Sequence, residues 1–268
     1  MSESFFHLLS HVVYPVFIAL GLAAARSLGM VFIFPAFNRL GLNGTIRTSV
    51  AIVLSLPVLP LVLASYGQTQ FTVLFLAGIV IKEMLIGLVI GLLFGLPFWG
   101  AEVAGSLIDL QRGSTMAQLL DPNAVTRAGL TATLLSILMV ALFFASGGFD
   151  GLLDVLYRSY HLWPIFQFGP SLDQDAAMAV LHMLDRIMFI GVRMMAPLVI
   201  AVLAGDLALA YLARIAPNLH VFSLSLALKN LVFAVLMVIY IMFLMPRMIE
   251  DLGSLGAAFA ELKQFSGS

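Results

Sequence analysis

Polar and helix-breaking residues crowd the stretch SLIDLQRGSTMAQLLDPNAV, residues 106–125, between two strongly apolar runs. Asp109, Gln111, Arg112, Ser114, Thr115, Gln118 and Asp121 supply charge and hydrogen bonds. Gly113 permits a positive φ, and Met116 can fill irregular space. Asp121-Pro122 disfavours continuation of a helix and suits a turn or a new helix start. A guanidinium among carboxylates forms charge-assisted hydrogen bonds. Arg112 is therefore expected to hold this segment through Asp109, Asp121 or both. Irregular polar backbone at membrane depth is tolerated only when buried in protein or facing a watery cavity. The interleaved Leu107, Ile108, Leu110, Leu119 and Leu120 suggest a segment folded back into such a place, against the plainer reading of an ordinary extramembrane loop.

Elsewhere the ionisable residues are sparse and set within oil. Arg26, Lys82, Glu83, Arg193 and Asp206 all interrupt or border apolar runs. Ionisable groups inside a membrane are functional suspects by default, because each costs a few kcal/mol or more to bury there. Lys82 and Glu83 are adjacent, so on a helix they point apart and are expected to find separate partners, preferably on another chain. Asp206 in LAGDLALA has the look of a fragment of an intramembrane aspartyl site, but such a site needs a second Asp to share a proton. The simpler expectation is that Asp206 precedes a helix and favours its dipole. His7 and His11 share a helical spacing, yet two ligands without a third make no metal site. No metalloprotease, serine-hydrolase or phosphate-loop motif is present, so no assembled catalytic constellation emerges and no cofactor is implied.

The elements that must carry these residues are membrane helices. The 268 residues are 62% hydrophobic and 10% charged, where about 25% charged is typical of soluble domains. Mean hydropathy is +1.08. That much apolar surface requires lipid or other protein as its surroundings. The net charge of −1 offers no basic field for nucleic acid. Cysteine is absent, which removes disulfides and thiol chemistry and leaves the redox compartment unmarked. The N-terminus lacks a signal peptide's positive region and cleavage site, and is expected to be retained.

Apolar runs fall at about 12–25, 27–37, 48–65, 71–81, 84–101, 128–149, 187–205 and 230–246. A spanning helix needs about 20 apolar residues. Only 128–149 meets that unaided. The others are expected to be interrupted by Arg26, by Lys82 and Glu83, by Arg193 and Asp206, or by Pro57, Pro60, Pro97 and Pro197. Snorkelling and ion pairs inside a bundle would account for these interruptions. The sharper expectation is that neighbouring protein chains, rather than lipid, clothe many of the helices. Gly87, Gly91 and Gly95 lie at i, i+4, i+8 and are expected to form a face for close helix packing. Residues 150–165 read as an amphipathic helix with Leu152, Leu153, Leu156, Tyr157 and Tyr160 on one face, ended by Trp163-Pro164. No repeat or linker divides the chain, so residues 1–268 are expected to be one helical domain. Basic residues are spread too evenly to fix an orientation, although Arg39 and Arg47 favour 38–47 as a cytoplasmic loop.

LIDLQRGSTMAQLLDP (107–122) resembles the central loop of the FliR/SctT family. These are inner-membrane export-apparatus proteins of bacterial flagella and type III secretion injectisomes. ARSLGMVFIFPAFNRLGLNGTIRTSVAIVLSLPVLP (25–60), GGFDGLLDVLYRSYHLWP (147–164) and GDLALAYLARIAPNLHVFSLSLALK (205–229) resemble further blocks of the same family, in the same order. The Asp-x-Gln-Arg-Gly form at 109–113 is closer to the injectisome branch. The resemblance implies an all-α membrane protein whose kinked helical hairpins pack into a hetero-oligomeric export gate. It implies partners from two other small membrane protein families, a switch-type export protein, unfolded secreted substrates and membrane lipid. It implies a place in the bacterial inner membrane, partly raised toward the periplasm. It makes the 109–122 loop a plug across the closed channel, with Asp109, Gln111, Arg112, Gly113, Ser114, Thr115, Met116, Asp121 and Pro122 as its residues. Arg26, Asp206, Arg214 and Pro217 fall on family motifs and are assigned to assembly, not catalysis. His220-Val221-Phe222 departs from the family's more amide-rich form, so no role passes to His220.

A competing class is a secondary transporter or proton channel working through Lys82, Glu83, Arg193 and Asp206. Broken helices fit it; the internal repeat such proteins often show is not visible.

Overall fold

The structure is a computed structural model. It describes residues 13–66, 72–113, 129–167, 174–215 and 221–253. Among these the chain is helical without strands: α1 (Tyr14–Ile33), α2 (Pro35–Arg39), α3 (Gly44–Ser55), a 3-10 turn (Leu56–Val58), α4 (Leu59–Tyr66), α5 (Val73–Gln111), α6 (Leu130–Ala145), α7 (Gly148–Leu162), α8 (Gln174–Ile215) and α9 (Val221–Gly253). Among the described residues, five helical stretches are long and apolar enough to cross a membrane: Tyr14–Ile33, Gly44–Tyr66, Val73–Gln111, His182–Leu212 and Ala227–Gly253. The chain is thus an all-α, multi-pass membrane protein.

The charges do not break the helices. Arg26 lies inside α1, Lys82 and Glu83 inside α5, and Arg193 and Asp206 inside α8. Helix geometry survives a charge wherever side chains elsewhere in the fold can pair it, because the backbone bonds are local. Residues 102–111 and 206–215 are helix as well. Asp206 is therefore interior to α8 and cannot act on a helix N-terminus. The run that alone promised a full span, 128–149, yields only the 16 residues of α6 before a break at Ser146-Gly147. Gly147 takes φ 77°, a left-handed helix end that glycine adopts without strain. The prolines act locally. Phe34, held extended (φ −68°, ψ 118°) by the following Pro35, ends α1. Pro57 tightens one turn to 3-10 between α3 and α4 without ending the 44–66 span.

The chain divides into two compact units. The first comprises residues 1–95, 149–180 and 255–268; the second comprises 96–148 and 181–254. In the first, α1 packs on α3, α4 and the first part of α5. A Cβ on Gly87 would lie 1.9 Å from the Arg26 carbonyl oxygen, one on Gly91 2.7 Å from that of Met30, and one on Gly29 2.2 Å from that of Met84. The two backbones therefore touch across glycines from both helices. Gly87 and Gly91 lie on the expected face; Gly29 was not anticipated, and Gly95 is buried. In the second unit, a Cβ on Gly105 would lie 2.3 Å from the Ala132 Cα, which brings the end of α5 against the start of α6. Phe98 and Phe143 meet edge to face at 5.5 Å in this core.

Candidate functional site

Two buried polar clusters, one in each unit, hold Arg26, Lys82, Glu83, Asp109 and Arg112. The first follows from the glycine contact. Glu83, Gly87 and Gly91 share one face of α5, and Arg26, Met30 and Ile33 share one face of α1. With the backbones touching, the Arg26 guanidinium reaches Glu83, its Nε donating to Oε2 at 2.7 Å with both side chains fully buried. One terminal nitrogen donates to Ser159 Oγ at 2.7 Å and the other to the Trp163 carbonyl at 2.9 Å. Its Cζ lies 3.9 Å over the Tyr160 ring. Lys82 Nζ donates to the carbonyls of Pro164, Ile165 and Gln167 at 2.8–2.9 Å. It also sits 2.8 Å from Glu83 Oε1, a contact of charge rather than an aligned hydrogen bond.

Two cations thus fasten the turn that follows α7 through its backbone carbonyls. The amphipathic face of α7 serves the same end, with Leu152, Val155, Leu156, Ser159 and Tyr160 buried. Lys82 and Glu83 were expected to seek separate partners on other chains. Instead they touch each other and pair within this chain. Long side chains can bend back where one compact charge network lowers the cost of burying all of them.

The second cluster lies where α5 ends and α6 begins. Gly129, the residue before α6, has no side chain to cap its first turn. Asp109 does so from the end of α5: its Oδ2 accepts from the backbone N–H of Thr131 at 2.9 Å and of Ala132 at 3.3 Å. These are the positions an N-cap side chain ordinarily bonds. A Cβ on Gly129 would overlap that oxygen, so the missing side chain makes the room. Thr131 Oγ1 donates to Asp109 Oδ1 at 2.6 Å, and Arg112 pairs with the same Oδ1. Arg112 also donates to Thr131 Oγ1 at 3.2 Å and to Asn230 Oδ1 of α9 at 3.4 Å, and its Cζ lies 4.2 Å over the Phe233 ring. Gly113, φ 73°, turns the chain away just beyond. Ser114, Thr115, Met116, Asp121 and Pro122 lie outside the described residues, as does any pairing of Arg112 with Asp121. Gln111 is half-buried on the last turn of α5.

The remaining expected residues do not join either cluster. Asp206 pairs with Lys229 of α9 at 2.9 Å. Arg193 is exposed and acts electrostatically on Asp251. Arg214 is exposed in the last turn of α8, where positive charge suits the helix dipole. Pro217, His7, His11 and His220 lie outside the described residues. Sequence reasoning passed over Lys229, Asn230, Phe233, Thr131 and Ser159. Lys229 alone carried a signal, as a lone cation in the apolar stretch LSLALKNLVF.

The helices and the two buried clusters define an all-α, multi-pass membrane protein. Residues 17–255 match the family model described as bacterial export proteins, family 1, and the chain belongs to that family. It is 34% identical over 223 residues to the Yop proteins translocation protein T of Yersinia pestis, covering 82% of this chain and 84% of that protein. It is 26% identical over 242 residues to the surface presentation of antigens protein SpaR of Salmonella typhimurium (90% and 89% covered). It is 30% identical over 209 residues to the flagellar biosynthetic protein FliR of Caulobacter vibrioides (78% and 82% covered).

Proposed function

We propose that this chain is a structural, non-catalytic subunit of a type III protein-export gate in the bacterial inner membrane. It contributes to the channel through which unfolded substrates cross, and its 109–122 loop is the plug. Its partners in this reading are two other small membrane protein families and a switch-type export protein. The gate is partly raised toward the periplasm, with lipid and neighbouring subunits sharing the outer surface. The family, and relatives named for Yop translocation and for flagellar biosynthesis, support the role in export.

The observation that carries the plug reading is the cap of α6 by Asp109. The end of α5 and the start of α6, which flank this segment, lie at adjacent points, and the Asp109–Arg112 pair fastens both. A channel wide enough for a polypeptide must not leak ions at rest. A loop fixed at its root can seal and then yield at a cost well below global unfolding. The test is ion conductance and secretion in cells whose chain lacks residues 114–120. Raised resting conductance with an assembled complex is the expected result. Unchanged conductance in an assembled complex refutes the plug.

A further inference from the structure

We infer that α9 sets how firmly the root of the 109–122 loop is closed, with Phe233 and Asn230 acting as positioning residues for Arg112. The inference deepens the plug reading and rests on it for its functional meaning. Arg112 is buried, and among the described residues its Nε–H has no acceptor. Its pairing with Asp109 therefore depends on how the rest of the guanidinium is held. That support comes from α9. The Phe233 ring underlies Cζ at 4.2 Å, and Asn230 Oδ1 accepts at 3.4 Å. A cation over an aromatic face gains more when water is excluded, and Phe233 is itself buried.

One turn of α9 is registered by a separate contact. Lys229, the neighbour of Asn230, pairs with Asp206 of α8 at 2.9 Å. Within this unit a continuous chain of contacts runs from α8 through α9 and Arg112 to the first turn of α6. A shift or rotation of α9 by a fraction of a turn removes the ring and the amide from Arg112. The guanidinium then loses the two groups that aim it at Asp109, and the cap of α6 weakens. The loop is thereby regulated by an element outside it, through a cation that belongs to its own root.

The direct readout is hydrogen–deuterium exchange at the Thr131 and Ala132 amides in the assembled export complex. Phe233→Leu is expected to speed exchange there by about 2- to 30-fold, the range a desolvated cation–aromatic contact supports. Phe233→Trp, which keeps the π face, is expected to restore protection. In an Arg112→Met background the Phe233→Leu change is expected to add nothing. Wild-type protection in Phe233→Leu, or an effect undiminished by Arg112→Met, overturns the inference. Conductance of the 114–120 deletion is measured alongside. A tight deletion complex refutes the plug, whereas an exchange result that ignores Phe233 refutes the role of α9 and leaves the plug standing.

Discussion

The carboxylate of Asp109 caps a helix to which it does not belong, accepting the backbone N–H of Thr131, 22 residues further along the chain. The same carboxylate is paired with Arg112, so charge, cap and loop root are one structure. Removing the charge with Asp109→Asn leaves a buried guanidinium without its counter-ion. Breaking a buried pair costs about 3–5 kcal/mol, more than the ~1 kcal/mol of an ordinary cap. The expected outcome is an assembled but leaky complex with faster amide exchange at Thr131 and Ala132. Ion conductance at rest and exchange measured on the same variant check it; a tight complex with native protection would contradict it.

Arg26 is not replaceable by lysine. Its guanidinium meets Glu83, Ser159, the Trp163 carbonyl and the Tyr160 ring at once, which a compact ammonium cannot do. Arg26→Lys is expected to lose at least two of these contacts and lower the yield of assembled complex several-fold. Glu83→Gln is expected to be worse, because it leaves Arg26 and Lys82 facing each other without a negative charge. Recovery of complex from membranes by pull-down, compared among the three proteins, decides the order.

How much of this was written in the sequence depends on the range of the interaction. The membrane helices, the amphipathic α7 and the Gly87–Gly91 face follow from local composition and spacing. The Asp109–Arg112 pair lies three residues apart on one helix and could be anticipated from that spacing. Its third member could not: Thr131 gains its place only because Gly105 lets α6 approach and Gly129 leaves room for a carboxylate. Likewise Lys82 and Glu83 read as helix breakers when each charge is costed alone. Lys82 is held inside α5 by the carbonyls of Pro164, Ile165 and Gln167, and Glu83 by Arg26, partners that no pattern around position 82 reveals. Long-range pairing rescued helices that short-range accounting had cut.

The glycine contact makes a sharp contrast between one glycine of α5 and another of α1. Gly87→Ala places a methyl 1.9 Å from the Arg26 carbonyl oxygen, and backbone cannot yield as a flexible side chain can. It is expected to push α1 and α5 apart, stretch the Arg26–Glu83 pair and abolish assembly. Gly21→Ala, on an exposed part of α1 with open space around the new methyl, is expected to be tolerated or to stabilise by up to about 1 kcal/mol through helix propensity. Complex yield and thermal stability of the two variants test it. Equal behaviour would mean the helices do not touch as described.

Asp206 separates the export reading from the transporter reading. Its partner Lys229 is close at 2.9 Å, but both side chains keep partial exposure, 31% and 20%. Both lie inside membrane-spanning stretches, so Asp206→Asn leaves the Lys229 ammonium unpaired in an apolar setting, and in a structural subunit it is expected to lower assembly and with it secretion. A proton pathway running through that carboxylate would instead be blocked, because the amide cannot take up and release a proton. Lys229→Met in the Asp206→Asn background sharpens the contrast. With both partners neutral no charge is left unpaired, and a structural subunit should return to wild-type assembly, whereas a lost proton relay stays lost. Secretion rate and proton flux measured on the single and double variants give the answer, and abolished flux in both would overturn the export-gate assignment of this residue.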